Sequence, residues 1–73
     1  MKRASEYRQH AAECRALAGR MEGGEARDQL LRMAATWEEL ARERSALVRR
    51  HPELGADGEA EEEAEAAEAA KRA

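Results

Sequence analysis

The pattern of apolar and polar positions is helical along most of the first fifty residues. Ala26, Leu30, Met33, Trp37, Leu40, Arg44 and Leu47 recur at alternating spacings of four and three, flanked by Leu31, Ala34, Ala41 and Val48. This is a heptad seam about three repeats long, broken once by Arg44. Upstream, Tyr7, Ala11, Cys14, Ala18 and Met21 follow the same rhythm, with Leu17 widening the stripe. Ser5 is the expected N-cap of a first helix over about 5–22, with Glu6 complementing its dipole. Gly23-Gly24 supplies the left-handed residues that end such a helix, and so short a connection returns the next one antiparallel. The second helix is expected over about 25–50. It stops before Pro52, in a stretch, His51 to Gly58, that holds the only proline and two of the five glycines.

The expected fold is therefore all-α: an antiparallel two-helix hairpin over 1–50, a breaker over 51–58, and an acidic Ala/Glu-rich tail over 59–73. At about 1.5 Å per residue the helices measure roughly 25 and 39 Å, so the second overhangs the first. Counted back from the turn, Leu40 lies opposite Tyr7, and Leu47 and Val48 lack partners within the hairpin. The tail has good helix propensity but no apolar side chain larger than Ala, and Glu62 to Glu65 repel one another. It reads as flexible, disordered or transiently helical, contributing nothing to folding.

Length adds a constraint, because 73 residues seldom enclose a core able to stabilise a fold without a disulfide, a metal or a partner chain. Cys14 is the only cysteine, so no intrachain bridge forms. A homodimer, pairing two hairpins into a four-helix bundle, is the expected remedy. Its core and interface would draw on Tyr7, Cys14, Leu17, Met21, Leu30, Leu31, Met33, Trp37, Leu40, Leu47 and Val48. The sequence has no apolar run of signal-peptide or membrane-spanning length, and a cytoplasmic protein with no membrane partner is expected.

Tyr7-Arg8-Gln9-His10-Ala11-Ala12-Glu13-Cys14-Arg15-Ala16-Leu17-Ala18, followed by Leu30-Leu31-Arg32-Met33-Ala34 and Trp37-Glu38-Glu39-Leu40-Ala41, resembles the paired half-motifs of a group of short, uncharacterised bacterial proteins. The resemblance covers roughly residues 6–44. It implies a helical hairpin and carries no activity, cofactor or partner with it.

Charge splits the chain. Residues 1–50 hold 11 Lys and Arg against 8 Asp and Glu, a net of +3, and residues 51–73 hold 2 against 8, a net of −6. Lys2, Arg3, Arg8, Arg42, Arg44, Arg49 and Arg50 gather at the open end of the hairpin, where they could bind anions. The tethered acidic tail is a competitor at high effective concentration. His10 and Cys14 stand four apart beside Glu13, a zinc-ligand spacing that only a dimer could complete; a thiol at the edge of the core is the simpler reading. No nucleophile, base and oxyanion donors converge in the pattern, so no catalytic residues and no cofactor are expected. The leading expectation is a non-enzymatic interaction or structural protein with an unidentified protein partner. The alternative is a nucleic-acid accessory whose basic end is restrained by its tail.

Overall fold

The computed structural model describes residues 2–73, and all regular structure among them is helical: α1 (Ala4–Ala18), α2 (Glu25–Arg50) and α3 (Glu59–Arg72), with one 3-10 turn at Pro52–Leu54 between α2 and α3. None of these helices is long and apolar enough to cross a membrane.

Helix α1 starts one residue before Ser5. Arg3 is its N-cap, in extended conformation, and the Arg3 amide donates to Glu6 Oε1 at 2.9 Å, half of a capping box. The Ala4 amide donates to Glu59, 55 residues along the chain. The helix also ends earlier than the apolar rhythm implies, at Ala18 rather than Glu22. Three glycines within Gly19–Gly24 make continued helix costly, and the Arg20 and Met21 amides close tight turns onto Leu17 and Ala18. Gly23 and Gly24 both have positive φ, 128° and 96°, but they launch α2 instead of ending α1: Gly24 is its N-cap, and its carbonyl accepts from Asp28.

Helices α1 and α2 lie side by side in opposite directions, and the residues buried between them are small. Ala4, Ala11 and Ala18 on α1 and Ala34, Ala41 and Val48 on α2 are all at most 3% exposed. Each set repeats every seven residues, so one methyl-lined seam per helix faces the other and lets the backbones approach closely. The large apolar residues expected in the core and dimer interface flank this seam. Tyr7, Cys14, Leu30, Trp37 and Leu47 are half-buried, whereas Leu17, Met21, Leu31, Met33 and Leu40 are exposed. The expected register changes accordingly: the Tyr7 ring stacks on Trp37, centroids 5.8 Å apart, and His10 lies 4.7 Å from the same indole. On the other flank Arg15 is paired with Glu38.

The tail corrects the sequence reading most. Residues 59–72 form a continuous helix, with acidic residues in its first turn and Lys71 and Arg72 in its last, both favourable to the helix dipole. Nor does it float: Glu59 and Glu63 are 0% exposed. The linker packs as well. A Cβ on Gly55 would come within 3.1 Å of Val48 Cγ1, so any larger residue there would make Val48 or the linker give by a few tenths of an ångström. Val48, expected to overhang without a partner, is covered by its own chain.

The molecule measures 43 × 28 × 15 Å. The radius of gyration, 14.0 Å, exceeds the roughly 11 Å of a globular domain this long.

Candidate carboxylate-binding site at the open end

The end of the α1–α2 pair away from the glycine turn is built around two buried carboxylates of α3. Glu59, on the first turn of α3, takes four hydrogen bonds on its two oxygens. Arg44 donates from Nε to Oε2 at 3.0 Å and from Nη2 to Oε1 at 2.8 Å. The Ala4 amide donates to Oε2 at 3.1 Å and the Ala56 amide to Oε1 at 3.0 Å. The Ala4 donor is one of the first-turn amides that α1 itself cannot satisfy, so Glu59 also places negative charge at the positive end of α1. The Arg44 fork, with the two amides, holds the Glu59 carboxyl down at about 2 against the opposing effect of burial. Its charge in turn raises the Arg44 guanidinium above its ordinary value.

One turn further, Glu63 is bound by a second fork. Arg8 donates from Nη1 to Oε1 at 2.7 Å and from Nη2 to Oε2 at 2.8 Å, the bidentate geometry that makes arginine–carboxylate pairs strong and directional. Arg8 lowers the Glu63 carboxyl, burial opposes the shift, and a hydrogen bond from Ser45 adds to it. The Arg8 side chain remains 42% exposed, so solvent screens this pair more than the Arg44–Glu59 pair. Arg3 completes the seam, with Nη2 donating to the Asp57 carbonyl and Nη1 3.8 Å from Glu62. Among the described residues no buried side-chain polar atom lacks a partner.

Beyond Glu63 the two surfaces part. Ala66, Ala67 and Ala70 of α3 face Ala41, Arg42 and Arg49 of α2 across an open groove of about 560 Å³.

The candidate anion-binding residues therefore divide. Arg44 is buried on Glu59, and Arg3 is drawn to the linker and α3. Lys2 is exposed, its Nζ 3.2 Å from His10 Nε2. Arg42 pairs with Glu39, Arg49 donates to the Ser45 carbonyl at 3.4 Å, and Arg50 is exposed. His10 is engaged on both nitrogens, with Nδ1 3.4 Å from Glu13, and its ring lies against Trp37. Cys14 is half-buried. No group of three or more His, Cys, Asp or Glu able to hold a metal occurs among the described residues.

Sequence reasoning missed Glu59 and Glu63 as structural residues. A signal existed in Arg44, a charge in the middle of an apolar seam, since arginine is almost never fully buried unpaired. Compared with known proteins, the chain matches no family model, no curated protein and no solved structure.

Proposed function

We propose that this chain is a non-enzymatic, cytoplasmic protein–protein interaction module that self-associates through the uncovered apolar side of α1 and α2. The observation that carries this reading is the placement of the large apolar residues. Leu30, Met33, Trp37 and Leu40 form one stripe of α2, and Tyr7, Cys14 and Leu17 form one stripe of α1. The Tyr7–Trp37 stack puts both stripes on the same side of the α1–α2 pair, where Leu17 is 51% and Met33 49% exposed. The accessible surface, 5267 Å², exceeds the roughly 4500 Å² normal for a monomer of this mass. The excess is close to the roughly 800 Å² each partner contributes to a standard interface. Two copies meeting on this side would make a four-helix bundle. The titratable groups at the open end engage one another, which supports a binding role over catalysis.

The test is mass and melting together. At micromolar concentration the protein should have a dimeric mass by light scattering and a melting temperature that rises with concentration. Met33→Glu with Leu40→Glu should give a monomer. A monomeric wild-type mass with a concentration-independent melt overturns the reading.

A second reading is favoured by the seating of α3 carboxylates on Arg8 and Arg44: the basic end is a nucleic-acid contact held back by its own tail. Glu63→Gln, which frees the more exposed arginine, should then bind duplex DNA more tightly than wild type at low salt, with the difference vanishing as salt rises. Equal, negligible binding by both proteins removes it.

A further inference from the structure

Helix α3 meets the α1–α2 pair through carboxylates and methyl groups only. Glu59 and Glu63, four residues apart, share one helical face, and the next positions on that face are Ala66, Ala67 and Ala70. Recognition of the two carboxylates is complete, with a guanidinium fork on each and the first amide of α1 on the first. Recognition of the remainder is not, because the alanines leave the 560 Å³ groove between α3 and α2 unfilled. The site is thus specific in its charged half and underfilled in its apolar half.

We propose that the open end of the α1–α2 pair is a receptor for an acidic amphipathic helix of another protein, and that α3 is its tethered, exchangeable stand-in. The partner helix carries glutamates where α3 has Glu59 and Glu63, and large apolar side chains where α3 has Ala66, Ala67 and Ala70. Charge complementarity selects the first two positions. The open groove, lined on the α2 side by Ala41, Arg42, Ser45 and Arg49, selects the last three. Apart from its two bound carboxylates α3 offers only alanine methyls to the groove, so a helix that supplies the same carboxylates together with larger apolar side chains can take its place. The linker over 51–58 keeps α3 at roughly millimolar effective concentration, so an incoming helix displaces it only by binding better. Filling the groove supplies that difference. This proposal does not depend on self-association, since it concerns the end of the helix pair and not its apolar side.

The experiment uses the full chain and three fluorescent peptides: residues 56–73, the same peptide with leucine at 66, 67 and 70, and that leucine peptide with both Glu59 and Glu63 replaced by Gln. Each is titrated by anisotropy against wild type and against the full-length Glu59→Gln/Glu63→Gln variant, whose own α3 is unlatched. The leucine peptide should bind the variant at least roughly tenfold more tightly than the alanine peptide. It should bind wild type more weakly than the variant, and it should lose affinity when its glutamates are removed or salt is raised. Equal affinity for all three peptides, or no binding to a folded variant, overturns the proposal. If circular dichroism shows the variant unfolded, Ala66→Leu and Ala70→Leu in the otherwise intact chain decide. A filled groove raises the melting temperature, whereas an unchanged or lowered one overturns the proposal.

Discussion

Glu59→Ala should destabilise the protein by about 3 to 5 kcal/mol, the range for removing one partner of a buried ion pair. The loss has identifiable parts. Arg44, 7% exposed, keeps its charge while losing the carboxylate that neutralises it. The Ala4 and Ala56 amides lose their acceptor. Val48 loses cover as the Gly55 linker is released. A chain of 73 residues has a total stability of roughly 4 to 11 kcal/mol, so the variant should lose a large fraction of it. Urea or thermal denaturation followed by circular dichroism measures the effect. Arg44→Met should restore part of the stability when added to Glu59→Ala, because it removes a buried charge that has lost its carboxylate. It should be destabilising on its own, because it strands Glu59 instead. That sign reversal in a double-mutant cycle is specific to a buried pair; additive losses would mean that α3 is held by something else.

Local rules read α2 well. A strong heptad rhythm, acidic residues at its start and Arg49, Arg50 and Pro52 at its end agree on its bounds. The seam between α1 and α2 is harder to read, because residue size does not mark it: the closest approach of two helices favours the smallest side chains. The seven-residue repeat of Ala4, Ala11 and Ala18, matched by Ala34 and Ala41, was present in the sequence. Its meaning depends on an interhelical distance that periodicity does not specify. The open-end site was less legible still. Glu59 and Glu63 stand in a run of glutamates that composition describes as a solvated charge block. Nothing local separates them from Glu61, Glu62 and Glu65. They are selected by geometry, four residues apart on one face, and by Arg8 and Arg44 reaching them across up to 55 positions of sequence. Arg44 was the one local irregularity that asked for a partner.

Acid should loosen the protein over a window set by Glu59. Its carboxyl is held at about 2 in the folded chain, against an ordinary value of 4.5. Above the ordinary value, folded and unfolded chains both carry the charge, and the stabilisation from Arg44 and the two amides is fully present. As pH falls from about 4.5 toward 2 the unfolded chain takes up a proton that the folded one refuses, so stability declines through this range. Below about 2 both forms are protonated and the contribution is gone. The depression corresponds to at most about 3 kcal/mol. Glu63 is shifted in the same direction by Arg8, and its part is smaller because Arg8 faces solvent. Helical signal is a poor reporter here, since protonation relieves the repulsion among the α3 glutamates and favours that helix even when it is detached. Melting temperature between pH 7 and pH 2, together with hydrogen exchange at the Ala4 amide, reports docking itself. Wild type should lose melting temperature steadily below about pH 4.5, with Ala4 protection falling in parallel. Glu59→Gln should start lower and follow a flatter curve across the same range. If the two proteins lose stability in parallel, the acid sensitivity belongs to other carboxylates, and the four-bond carboxylate at the open end is not what fastens α3 to the helix pair.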